Sequence, residues 1–382
     1  MPLSPLAAAV RRFPLLGRPR PDCPALPLRV QEVVDAVDGA RQKPDNGMAG
    51  AAHALNKAAL IASDSGMTDL ARHLCWQHID TYRRAERPLT ILEARYLLEP
   101  VLNLARLQIR TDQGTAALHL LESMYQTVTR RSDLTVENQT LPMADLVGGQ
   151  QERRQLREWV WLQLIGEGVR ALALAGRWVD AAEHARSYSG IGVHLMEGRQ
   201  AAIIARCMTD APAEGRALLA QSVTTEPWEQ EIAGCLHLMC TDPSDSLMAR
   251  HLTTAMARFT ARTPAAGYAS YRARLGLTLA TLASPTRPDL AKVLLGRIAT
   301  EAVDSKDGYA ARDVLGFREP IDGITERRRT DLNHLAAESG LGIGALPERI
   351  LRCLTATADE AVAVLDTTLC SKGSRQVSRV QQ

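Results

Sequence analysis

Ala171-Leu172-Ala173-Leu174-Ala175-Gly176-Arg177-Trp178-Val179-Asp180-Ala181-Ala182 is the stretch that decides the fold class. A small-residue-rich run of helical period stops at a glycine, an aromatic follows, and an alanine sits five residues beyond the glycine. Glycine supplies the left-handed turn that ends one helix, and the small side chain lets a returning helix cross the first closely. Residues 61–71 repeat the order, with Gly66 and Ala71 in the same two places. Weaker versions are Asp112-Gln113-Gly114 followed by Ala116-Ala117, and residues 280–291 with Pro288 before Ala291. A chain of recurring helical hairpins is an array, and arrays bind partners more often than they transform them.

Composition agrees with this reading. The chain has 382 residues, 46% of them hydrophobic, enough for a continuous core, while aromatics are only 4%. That mix excludes a β-sandwich fed by aromatic and β-branched side chains and fits an all-α protein. Only five lysines (43, 57, 292, 306 and 372) stand among the 45 basic residues, so guanidinium chemistry dominates. The net charge of +2 is uneven: residues 1–30 contribute +4 and residues 371–382 contribute +3, which leaves a body of −5. An acidic body argues against a nucleic-acid groove, because phosphate binding needs clustered positive charge. Seven cysteines without a regular framework fit a reducing, cytoplasmic setting. Residues 6–10 form too short an apolar run for a signal peptide, with Arg11-Arg12 on the wrong side of it. No apolar run is long enough to span a membrane.

Along the chain, seven prolines between residues 1 and 28 suggest a Pro/Arg-rich flexible arm, disordered or loosely docked. Helical periodicity then fills residues 29–131, the first hairpin array. Residues 132–150 interrupt it, and Leu134-Thr135-Val136, Thr140-Leu141-Pro142 and Gly148-Gly149 read as a small hairpin or a loop. A second array spans 151–370, with Thr225-Glu226-Pro227-Trp228 as a helix start and residues 305–325 as a loop. Residues 371–382 read as a disordered tail.

The order of small residue, turning glycine, aromatic and crossing alanine in residues 174–182 resembles a tetratricopeptide repeat. The resemblance covers about half the chain as degenerate units, since Ala71, Ala116 and Ala181 do not keep the family period of roughly 34 residues. It implies a tetratricopeptide-like α-solenoid of antiparallel helical hairpins whose concave surface binds a protein or peptide. In many bacterial regulators, similar arrays also sense peptides, usually beside a DNA-binding head.

Motifs that carry chemistry are few. No phosphate-cradling glycine loop ends in Lys-Ser or Lys-Thr, and Gly340-Leu341-Gly342-Ile343-Gly344 has the wrong spacing for a dinucleotide site. Cys235, His237 and Cys240 point apart around one helix, so no metal is expected, and no cofactor is implied. Residues 332–351 resemble a helix-turn-helix, with Arg327-Arg328-Arg329 just upstream, but Pro347 would fall inside the recognition helix. Paired arginines at the ends of return helices, Arg83-Arg84 and Arg130-Arg131, would form a basic rim if hairpins stack, suited to an acidic peptide. The expectation is therefore a binding or regulatory module for a protein or peptide partner. The alternatives are a transcriptional regulator using residues 332–351 and an enzyme without recognisable motifs.

Overall fold

In the computed structural model the described residues are 4–15, 19–42, 47–85, 87–242, 244–262, 265–318 and 321–380, with side chains described to residue 370. Among them are seventeen helices and one two-stranded hairpin, so the chain is all-α. It divides into two compact units, each built from two stretches of sequence: residues 26–167 with 342–382, and residues 1–25 with 168–341.

The first unit holds α2 (Leu26–Gln42), α3 (Gly47–Asp64), α4 (Thr68–Arg83), α5 (Ile91–Arg110) and α6 (Gly114–Arg130). Each packs on the next, and α3 also touches α5. The expected small hairpin follows as β1 (Leu134–Val136) and β2 (Gln139–Leu141), antiparallel with Leu134 opposite Leu141. Helix α7 (Gln150–Leu174) begins in this unit, and the division falls between its residues Glu167 and Gly168. The last helix, α17 (Glu348–Val380), lies against α2, α3 and α4. The second array thus does not run to residue 370: Ala358, Ala361, Leu365 and Leu369 bury an apolar stripe of α17 in the first unit instead.

The glycine-rich stretch at 340–344 finds its reason here. Gly342 and Gly344, both at left-handed φ, donate to the carbonyl oxygens of Asp64 and Ser65 at 2.8 Å. They satisfy acceptors that the end of α3 would otherwise leave open. Asp64 itself is buried and bridges Arg29 at 2.5 Å and Arg110 at 3.0 Å.

The second unit contains α8 (Trp178–Ser187), α9 (Glu197–Met208), α10 (Pro212–Ala220), α11 (Pro227–Met239) and α12 (Met248–Thr260). It continues through α13 (Ala269–Ala283), α14 (Pro288–Asp304), α15 (Gly308–Leu315) and α16 (Glu326–Glu338). Consecutive helices pair from α8 to α16, and α11 packs against both α9 and α13. Residues 308–315, expected within a loop, form α15, whose Asp307 side chain accepts from the Tyr309 amide at 2.7 Å. The N-terminal segment is not a loose arm where it is described. Pro5–Val10 form α1, capped by Ser4, and α1 packs on α13. Ala9, Phe13 and Cys23 are buried, and Arg274 donates to the Arg12 carbonyl at 3.2 Å. Its few apolar side chains are buried against other elements of the second unit, which outweighs the disorder its prolines suggest.

The Gly66 and Gly176 turns share one geometry. At Gly66 (φ 83) the Met67 amide reaches the Ala62 carbonyl at 2.9 Å; at Gly176 (φ 74) the Arg177 amide reaches Leu172 at 2.9 Å. Both are Schellman closures, in which one left-handed residue lets the chain cap its own helix. Ala71 and Ala181, five residues on, are buried at 2% and 0% exposure. The 112–117 turn needs correcting: the left-handed residue is Asp112 (φ 60), while Gly114 opens α6, so the crossing alanine is Ala117 and the offset is again five. Asp210 and Lys306 hold the same conformation, with Gly215 and Ala311 buried five residues later. Gly176 and Asp210 are 34 residues apart. The α13–α14 turn closes differently, through an Arg287 amide bond to Ala283 at 2.8 Å, with Pro288 opening α14.

Candidate functional site

Helix α11 starts where the sequence indicates, with Pro227 in its first turn and Glu226 as its cap. Glu229, one turn in, anchors this start by accepting from the Thr225 amide at 2.8 Å and the Glu226 amide at 2.9 Å. Burial opposes its charge, yet these amides together with that of Leu195 hold the Glu229 carboxyl below the usual range. The anchoring fixes Trp228 and Glu231 on the face of α11 toward α13.

There a cleft of about 200 Å³ opens, lined by Trp228, Glu231, Arg262, Tyr268, Tyr271 and Arg272 together with Glu226, Pro227 and Ala265. Tyr268 meets Tyr271 edge to face, with ring centroids 5.8 Å apart. The Tyr271 hydroxyl donates to the Trp228 carbonyl at 3.1 Å, and burial pushes its pKa well above that of a free tyrosine. Arg272 closes the floor. Its guanidinium lies 4.1 Å from the Phe259 ring centre and bridges Glu231 at 3.3 Å and Glu301 at 3.1 Å. Burial raises the Glu231 pKa, and Arg272 only partly offsets it. Arg262, half-buried at the edge, donates to Gln230 at 3.3 Å. The arrangement offers aromatic walls, one edge guanidinium and a buried, internally paired charge network. Such a site grips a side chain and orients polar groups near it.

Two of the four arginines of the expected basic rim, Arg83 and Arg84, make contacts within the fold. Arg83 ends α4 and binds Asp80 at 2.6 Å and the Gln139 side chain at 2.5 Å, latching the β-hairpin. Arg84 reaches Asp366 on α17 at 3.1 Å. Arg130 and Arg131 are exposed at the end of α6, where Arg131 is itself left-handed (φ 57). The Arg83–Arg84 half of the rim is thus engaged within the fold. Cys235 is buried, His237 pairs with His251 at 3.3 Å and Cys240 faces Cys207.

Residues 332–351 depart from a helix-turn-helix. Nine residues separate α16 from α17, Pro347 precedes the second helix, and the two helices belong to different units. Among the described residues, no helix is long and apolar enough to cross a membrane.

The cleft escaped the sequence reading because its walls come from two helices 41 residues apart at Glu231 and Arg272. One local signal existed: in a chain with only seven tyrosines, two lie at 268 and 271, one helical turn apart. No family model matches the sequence, and no curated protein or solved structure matches it.

Proposed function

We propose that this chain is a non-enzymatic, tetratricopeptide-like helical-repeat protein that binds a protein or peptide segment in the cleft between α11 and α13. The repeat reading is supported by the shared left-handed turns, the small residue five positions after each, and the 34-residue step from Gly176 to Asp210. The observation that carries the binding reading is the cleft itself. Trp228, Tyr268, Tyr271 and Arg262 are the residue types that dominate binding hot spots, gathered around one hollow the size of a side chain. A partner would insert an aromatic or long aliphatic side chain there and present a carboxylate to Arg262.

The test is selection of peptides from a random library on the full chain, followed by calorimetric titration of the selected peptide against Trp228→Ala. Loss of at least roughly tenfold in affinity, a hot-spot truncation, supports the reading; unchanged affinity refutes it. The DNA-regulator alternative is the weaker reading, because nine residues rather than a tight turn separate the two helices of residues 332–351.

A further inference from the structure

Cys207 near the end of α9 and Cys240 just after α11 are buried, and their sulfurs are 2.7 Å apart. That lies well inside the contact distance of two non-bonded sulfurs and approaches the roughly 2.05 Å of a covalent bond. The backbone therefore already brings the two side chains within bonding reach. Two features maintain the approach. Gly215 of α10 leaves the space: a methyl group there would come within 2.9 Å of the Cys240 sulfur and 3.3 Å of the Cys207 sulfur. Arg216, one residue on, donates to the Cys240 carbonyl, fixing the end of α11. Cys207 differs from the other buried thiols: burial alone pushes Cys235 up, whereas Cys207 is pulled down by its hydrogen bond to Cys240 and by Arg216, the same contact and burial pushing Cys240 up.

We propose that Cys207 and Cys240 are an oxidative modification site, closing on exposure to a peroxide into a reversible disulfide that joins α9 to α11. In the first step the Cys207 thiolate attacks one peroxide oxygen. The S–O bond forms, the O–O bond breaks, and hydroxide leaves and is protonated to water, giving a sulfenic acid. The Cys240 sulfur then attacks the Cys207 sulfur. The S–S bond forms, the S–O bond breaks, and the departing hydroxide takes the Cys240 proton as a second water. Two thiols lose two electrons, and one peroxide becomes two waters. Cys207 is the entry point because it retains 6% exposure against 0% for Cys240. The bridge would tie together the first helices of neighbouring hairpins, α9–α10 and α11–α12.

The experiment uses the full chain with Cys353→Ser and Cys370→Ser, which removes the two exposed thiols and leaves five of seven cysteines. The folded protein is treated with hydrogen peroxide, denatured, alkylated with N-ethylmaleimide and mapped by mass spectrometry. The expected result is loss of two alkylatable thiols, a crosslinked peptide pairing Cys207 with Cys240, and full recovery with dithiothreitol, while Cys23, Cys75 and Cys235 stay reactive. Adding Cys240→Ser should stop Cys207 at a sulfenic acid that dimedone traps. If that variant does not fold, the crosslink map of the chain retaining both cysteines still decides. Retention of both free thiols, oxidation beyond sulfenic acid without a crosslink, or pairing with another cysteine would overturn the proposal.

Discussion

Exchanging glycine and non-glycine residues at the hairpin turns should move stability in opposite directions. Gly176 sits at φ 74 and Lys306 at φ 54, both in the second unit, so one unfolding transition reports both. A methyl group added at Gly176 meets nothing within 4 Å, so Gly176→Ala carries no packing penalty and isolates the backbone effect. An L-residue in this conformation costs about 1–2 kcal/mol. Removing glycine also stiffens the unfolded chain, which returns about 0.4–1 kcal/mol. The net loss is therefore about 1 kcal/mol, a fall in Tm of about 2–4 °C for a unit of this size. Lys306→Gly reverses both contributions. Its side chain is exposed, so little packing is lost, and the expected gain is about 0.5–1 kcal/mol. Urea unfolding followed by circular dichroism measures both. A neutral or stabilising Gly176→Ala together with a destabilising Lys306→Gly would refute the assignment of the turns.

Other perturbations follow from the same geometry. Gly198→Ala should cost about 1–3 kcal/mol or more, because the new methyl overlaps the Gly190 carbonyl oxygen, which is backbone and cannot swing aside; undiminished thermal stability would contradict the α8–α9 contact. Arg272→Leu should cost about 3–5 kcal/mol in denaturant unfolding by leaving the buried Glu231 without its arginine, whereas Glu301 keeps Arg297, and a loss below about 1 kcal/mol would show the network to be weak. Burial lowers the His78 pKa from 6.5 to about 3, so below pH 6.5 the unfolded state binds the extra proton. Stability is then complete above that value and falls as pH drops toward 3, by up to about 1.4 kcal/mol per unit. In His78→Leu this part of the slope should vanish, and an unchanged pH profile would exclude His78 as its source.

The turns show how far local sequence reaches. Gly66 and Gly176 announce left-handed residues because glycine adopts them without strain, but at 112–114 the glycine points two residues too far, and Asp210 and Lys306 do the same work without a glycine. Aspartate tolerates the conformation, and lysine does so only where the surrounding helices impose it. The N-terminal segment misled for a different reason. Its prolines report local stiffness, whereas the positions of Phe13 and Cys23 depend on α13 and α15, hundreds of residues later: the Cys23 carbonyl accepts from the Gly308 amide at 2.8 Å and from the Ser339 hydroxyl at 3.1 Å. The membership of α17 in the first unit is non-local in the same way. The candidate cleft combines both cases, since the α11 start was readable at residues 225–228 while its opposition to Tyr271 and Arg272 was not.

The most direct test of the binding account is the affinity of a library-selected peptide measured at 50 and 200 mM salt for the native chain, Trp228→Ala and Arg327→Ala/Arg328→Ala. The account predicts that Trp228→Ala weakens binding by at least roughly tenfold and that the arginine pair has little effect. It also predicts that salt changes the affinity far less than the roughly 10³-fold of phosphate-dominated binding. Peptide binding indifferent to Trp228, or tight duplex-DNA binding that collapses with salt and with loss of Arg327 and Arg328, would contradict it.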